Sequence, residues 1–252
     1  MDSETTNSLP YLLNLGEKEH RNVNNISTFV HEAGRIDPDV LAEEYNKVRR
    51  LAPQRHKARR KKLFYLVDHK GSDKSAYPDP SSERRLAFNL WKDARSGKLL
   101  ELPSGEVLEI LDYETPLAMA RQSEGVGKID LFGLIDDRLM AVIELKILRK
   151  GRKADTPLYA FLEALAYCAI VEKNASEIAC EVDNMFKKTV DVGPLNLVVM
   201  APEDYWSKFL NHPKAGEWLP ILINLASEIE NRTGVATHFV GLDDSKLFSI
   251  AE

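Results

Sequence analysis

Apolar residues follow two spacings along this chain. Spacings of three and four mark helices, whereas alternation by two and short solid apolar runs mark strands. The stretch PDVLAEEYNKVRRL, residues 38–51, carries a helical stripe and leads into a basic run. LFYLVDH, 63–69, is a short apolar patch, and GSDKSAYPDPSS, 71–82, has the composition of a linker or loop. SSERRLAFNLWKDARSG, 81–97, reads as a helix with a serine cap and Gly97 as its stop. GEVLEILDYETPL, 105–117, reads as a strand. KIDLFGLI, 128–135, and RLMAVIELKIL, 138–148, read as two more, joined by turn residues around Asp136 and Asp137.

Beyond a basic loop, the apolar spacing predicts one long helix over 156–186, with Thr156 as cap and Pro157 at its first position. LNLVVMA, 195–201, is a buried strand; 202–210 and 219–234 are helices, and ATHFVGL, 236–242, is a last strand. From residue 81 the order is α-β-β-β-α-β-α-α-β. This predicts an α/β fold with three layers, α-β-α, around a central mixed sheet. Residues 1–75 are expected to form a mainly helical N-terminal extension, and 76–252 the α/β domain.

Composition narrows the class. The 252 residues are 44% hydrophobic and 29% charged, as in ordinary globular proteins. There is no apolar run long enough for a transmembrane span, and the acidic, polar start does not resemble a secretion signal. The two cysteines, Cys168 and Cys180, suggest neither a disulfide framework nor a zinc site, so the cytoplasm is the expected compartment. No glycine-rich phosphate loop, nucleophile elbow or Cys–His pairing is found. Charge is uneven: Arg49 to Lys62 holds eight basic residues and no acid, and setting those eight against the net −5 leaves the remainder at −13. This basic segment is a candidate arm along phosphates.

Asp130, Glu144 and Lys146 interrupt the apolar strands, where an unpaired charge is costly to bury. Glu144 and Lys146 lie two apart and share a strand face. Asp130 joins them only in one register. A two-residue turn sets Asp130 across from Ile143, facing away. A three-residue turn over Asp136 to Arg138, or a bulge of equal effect, sets it across from Glu144, and Lys128 across from Lys146. The three-residue turn is expected, with Phe132, Leu134, Met140 and Val142 continuing that face as core. Two carboxylates at about 5 Å between Cβ atoms repel. A hard divalent cation between them, Mg²⁺ or Mn²⁺, makes the arrangement favourable.

Asp130 followed by Glu144-Leu145-Lys146 resembles the motif of the PD-(D/E)XK nuclease superfamily, the restriction-endonuclease-like fold. The resemblance covers roughly residues 81–205, and the α-β-β-β-α-β order matches that family's core. Ile129 stands where the family name has Pro. The resemblance implies a Mg²⁺- or Mn²⁺-dependent nuclease, a hydrolase that cleaves DNA in line and leaves a 5′-phosphate. Asp130, Glu144 and the Leu145 backbone carbonyl would hold the metal, Lys146 would position the attacking water, and Glu83 would add a carboxylate. Some members carry Gln-x-x-x-Tyr on the following helix; here Glu163 and Tyr167 occupy those places. Lys128, Arg149, Lys150, Arg152, Lys153 and Tyr167 are the candidates for substrate contact, and two cuts on a duplex would make a homodimer reasonable. The alternative is a catalytically inactive nucleic-acid-binding or protein-interaction module on the same fold.

Overall fold

The computed structural model describes residues 12, 24–52, 65–67, 69, 79, 82–117, 128–148, 154–213, 215–243 and 246–250. Among them are seven helices and seven strands in one mixed sheet. The helices are α1 (Phe29–Ala33), α2 (Pro38–Leu51), α3 (Glu83–Arg95), α4 (Pro157–Lys173), α5 (Ala175–Phe186), α6 (Glu203–Leu210) and α7 (Ala215–Thr233). The strands are β1 (Leu100–Glu101), β2 (Val107–Pro116), β3 (Lys128–Ile135), β4 (Leu139–Leu145), β5 (Asp191–Pro202), β6 (Ala236–Asp243) and β7 (Lys246–Ser249).

The strands lie side by side in chain order. β1 to β4 form an antiparallel meander; β4, β5 and β6 run parallel, and β7 returns antiparallel to β6. Each parallel step needs a crossover, which α4 and α5 supply between β4 and β5, and α6 and α7 between β5 and β6. β1 and β7, the two edges, come into contact, so the sheet curls strongly. No helix among the described residues is long and apolar enough to cross a membrane.

Period-two alternation sorts the strand side chains into two cores. Leu131, Ile143, Leu145 and Val198 pack with Phe88 and Ala87 of α3. Phe132, Leu134, Met140, Val142 and Val199 pack with α4 and with buried residues of α1, α2, α6 and α7. The expected helix at 38–51 is α2, capped by the Asp37 side chain, which accepts from the Asp39 N–H. Its buried stripe of Leu41, Tyr45 and Val48 belongs to the larger core, so this part of the expected extension packs with the α/β domain. Arg49 and the Tyr45 hydroxyl both bond the Glu172 carboxylate at 2.5 Å, tying α2 to α4.

The single helix expected over 156–186 is two helices. α4 stops at Asn174, where φ is −110° and ψ is 13°, and α5 begins at the next residue. Buried Asn174 donates to the Ile170 carbonyl and accepts from the Tyr65 hydroxyl at 2.6 Å, a long-range bond that the helical pattern does not encode. α7 starts a turn earlier than expected, because Trp218 is fully buried against Phe29 and donates to the Phe209 carbonyl. α1, β1 and β7 were not anticipated. β7 is legible only through its partner: a Cβ on Gly241 would overlap the Phe248 ring, so that ring occupies the glycine's missing side chain.

Asn174→Ala leaves the buried Tyr65 hydroxyl without its acceptor. The expected result is a loss of about 1–3 kcal/mol in urea unfolding at unchanged m-value, with Tyr65→Phe restoring part of it in the double variant.

Candidate functional site

The hairpin turn decides what meets at the open end of β3 and β4. Asp136 and Asp137 have φ of 49° and 63°. Left-handed pairs of this kind belong to tight hairpin turns, and Asp tolerates them better than most residues. The Arg138 N–H closes the turn on the Ile135 carbonyl, while Ile135 pairs with Leu139. Arg138 is therefore the extra residue and the loop has the three expected members. Asp136 is pinned in addition by bonds to both the backbone N–H and the carbonyl of Val107.

This register runs to Leu131 opposite Ile143, and beyond it the strands part. There the Leu145 N–H donates to Asp130 Oδ2 at 2.9 Å, so a side chain takes over where the strand ladder ends. Asp130, Glu144 and Lys146 share the parity of the Phe132 and Val142 face, turned toward α4. Glu144 and Lys146 are 4% and 5% exposed.

Lys146 is the centre of the cluster. Its Nζ donates to Glu144 Oε1 at 2.7 Å and to Glu163 Oε2 at 2.8 Å, and lies 3.8 Å from Asp155 Oδ2. The ammonium also sits 5.8 Å from the centre of the Tyr159 ring. Thr156 positions this wall: it caps α4 by accepting from the Tyr159 N–H, which sets the helix phase that turns Glu163 inward. Tyr167, one turn further, donates to Glu163 Oε1 at 3.1 Å. The Tyr205 hydroxyl donates to the Asp155 carbonyl at 2.8 Å and fixes the loop ahead of α4.

These surroundings set the protonation states. Burial pushes the Asp130 carboxyl up to about 7, against the opposing pull of Lys146 and the Leu145 N–H. Burial likewise holds Glu144 well above the ordinary carboxylate range; repulsion from Asp130 adds to this and Lys146 only partly offsets it. Burial alone would discharge Lys146, but Glu144, Glu163, Asp130 and Asp155 outweigh it and hold the amine firmly protonated. Burial would also raise Glu163, yet the adjacent ammonium brings its carboxyl below the usual value. Lys146 is therefore equipped to offer a positive charge and N–H donors, and poorly equipped to take a proton.

The other expected residues fall around this cluster. Glu83, in the first turn of α3 after the Ser82 cap, is half-buried and close enough to raise the Asp130 carboxyl electrostatically. Lys128 is exposed and points its charge at Glu114, 3.8 Å away, rather than lying beside Lys146. Glu114 itself has φ of 48° and also pairs with Arg84 at 2.8 Å. Arg149, Lys150, Arg152 and Lys153, and most of the basic run 49–62, lie outside the described residues. Glu163, Asp155 and Tyr159 complete the site without having been singled out for it. Only the Glu163-x-x-x-Tyr167 spacing hinted at the first of them.

A divalent cation can be tested against the donors present. Among the described residues no group of three or more Asp, Glu, His or Cys side chains is placed to hold a metal. Two carboxylates and a peptide carbonyl would leave the remaining positions to water and substrate, as Mg²⁺ commonly does. Glu144 Oε2 is buried and accepts no hydrogen bond, although the raised Glu144 carboxyl lies close enough to Glu163 to share a proton with it, and Asp130 uses only Oδ2. Crowding of these acids in a buried site is costly, and Lys146 only partly offsets it. The donor set fits a hard cation. No protein-family model, no curated protein and no solved structure matches the chain.

Lys146→Met leaves buried Glu144 without its counter-ion and is expected to cost about 3–5 kcal/mol at pH 8. The cost should fall as pH is lowered, because Glu144 can then take up a proton instead; denaturant melts over a range of pH check this. Asp130 gives a second pH signature. Its folded carboxyl is raised, so its stabilising contribution is complete below the unfolded value of 3.8 and is lost as pH rises through about 7. In a chelator-containing buffer, Asp130→Asn should remove this downward slope of stability between those limits.

Proposed function

We propose that the chain is a divalent-cation-dependent nuclease of the PD-(D/E)XK type, acting on DNA phosphodiesters through Asp130, Glu144 and Lys146. One observation carries the reading: the three-residue turn brings these side chains to one end of one sheet face, with a Glu144 oxygen left buried and unpartnered. The order α3, β2, β3, β4, α4 and, after α5, β5 is compatible with the three-layer core the resemblance implies.

In this reading Asp130, Glu144 and the Leu145 carbonyl hold Mg²⁺ or Mn²⁺. The ion, when bound, supplies Lewis-acid stabilisation of charge on the phosphate and a more acidic water. The protein's own groups do the rest. Lys146, kept charged by its carboxylate neighbours, donates toward a phosphate oxygen or orients the attacking water. Glu163 is a positioning residue: it holds the ammonium from the helix side and is itself held by Tyr167. Glu83 keeps negative charge near Asp130 and favours cation uptake there. Tyr159 and Tyr205 shield the cluster from solvent and strengthen its electrostatics.

The test is incubation with plasmid and linear DNA plus Mg²⁺ or Mn²⁺. Cleavage by the wild type should fall by about a hundredfold or more in Lys146→Ala and Glu144→Gln. Glu163→Gln, which keeps a hydrogen-bond acceptor for Lys146, should fall less. Equal behaviour of wild type and Lys146→Ala would remove the catalytic assignment. Mn²⁺ titration separates the inert binding module from the enzyme: a module needs no ion at Glu144.

A further inference from the structure

A second built feature lies at the free edge of β2. Asp112 is 1% exposed and sits where β2 bulges against β3. Its Oδ1 bonds His69 Nε2 at 2.6 Å, and its Oδ2 accepts from the Val67 N–H at 3.1 Å and the Thr115 hydroxyl at 2.8 Å. His69 is stacked on Tyr113, with ring centres 3.9 Å apart at 25°, and meets Trp91 edge-on at 5.2 Å. The imidazole is thus locked by a buried carboxylate beneath it and rings on two sides.

His69 and Trp91 are two walls of an open cavity of about 440 Å³, whose other walls include Leu111, Phe186 and Arg95. That volume falls within the roughly 300–1,000 Å³ typical of small-ligand sites. Arg95 is exposed, lies in the last turn of α3, and makes no hydrogen bond or ion pair among the described residues. Rigid aromatic and apolar walls suit a flat ring, and an uncommitted guanidinium suits a doubly charged oxyanion, which it binds in a fork.

We infer that this cavity binds a nucleoside monophosphate unit, its base against Trp91 and Phe186 and its phosphate on Arg95. The unit is either a free nucleotide or the phosphorylated end of a strand. The site shares no side chain with the Lys146 cluster, so the inference stands whether or not that cluster cleaves DNA.

Trp91 provides the probe. The other two tryptophans, Trp206 and Trp218, are fully buried with their indole N–H groups bonded to Val240 and Phe209 carbonyls, so ligand quenching reports Trp91. The full-length protein, with EDTA present, is titrated with adenosine 5′-monophosphate, adenosine, inorganic phosphate and a 5′-phosphorylated oligonucleotide. The monophosphate should quench saturably and bind about tenfold or more tighter than adenosine. Arg95→Gln, a surface change that leaves the fold intact, should erase that difference. Lys92→Gln, an exposed cation on the same helix outside the cavity wall, should bind unchanged. Tighter binding of the oligonucleotide than of the mononucleotide, still lost in Arg95→Gln, assigns the strand end; the reverse order assigns the free nucleotide. Equal affinity for adenosine and the monophosphate, an unaffected Arg95→Gln, or an equal loss of binding in Lys92→Gln would each overturn the assignment.

Discussion

The turn between β3 and β4 controls the rest of the molecule. Strand side chains alternate faces, so one residue fewer between Ile135 and Leu139 would set Asp130 and Glu144 on opposite faces and mismatch the β3 and β4 side chains of the two cores. Burial enforces the correct register: those side chains are 1% and 0% exposed, and Met140 and Val142 opposite them are 1% and 0%. At roughly 1.5–3 kcal/mol for each large apolar side chain buried, these four together hold about 6–12 kcal/mol, comparable with the whole stability of a typical domain. The left-handed pair Asp136 and Asp137 costs little beside that, and the Val107 contacts hold it in place.

The same burial creates the electrostatic problem at the strand ends. Lys146 brings one positive charge into a pocket with Glu144, Glu163, Asp130 and Asp155. If all four are ionised the cluster is strongly negative; the raised Asp130 and Glu144 carboxyls show that protons relieve part of it. A divalent cation would relieve it in another way, replacing those protons and meeting the unpartnered Glu144 oxygen. Proton and metal uptake are then coupled through the same two carboxylates, while Lys146 stays charged in either state because Glu163 remains beside it.

The hairpin register was expected only because it alone sets Asp130 across from Glu144. The sequence made the local elements legible, because alternation, caps and turn residues are short-range signals. α2 matches its expected bounds, and α3 its cap, for that reason. What the sequence hid depends on how distant pieces pack. Asn174 breaks a helix through a bond to Tyr65, more than a hundred residues away. Glu163 meets Lys146 only once α4 is set down on β4 at one rotation, and nothing in the local spacing states that rotation. Tyr167, expected to contact substrate, is half-buried, packs on the core and holds Glu163. β7 and β1 are short strands whose partners, rather than their own patterns, define them.

Two buried carboxylates of the same sheet, on β2 and β4, show why burial alone does not mark a functional group. Asp112 is as deeply buried as Glu144, yet both of its oxygens are satisfied, by a backbone N–H, a hydroxyl and an imidazole. Its work is structural: it fastens Val67 and His69 along the edge of β2 and shapes the cavity there. Glu144 has one oxygen on Lys146 and one with no partner. Folding alone would favour replacing such a group by an amide or an apolar residue. A carboxylate whose desolvation is left incompletely compensated, beside a lysine held charged by a third residue, is what binding of a further cation would make favourable. The contrast between the two acids therefore separates the part of the polar interior that holds the fold from the part that the fold holds ready.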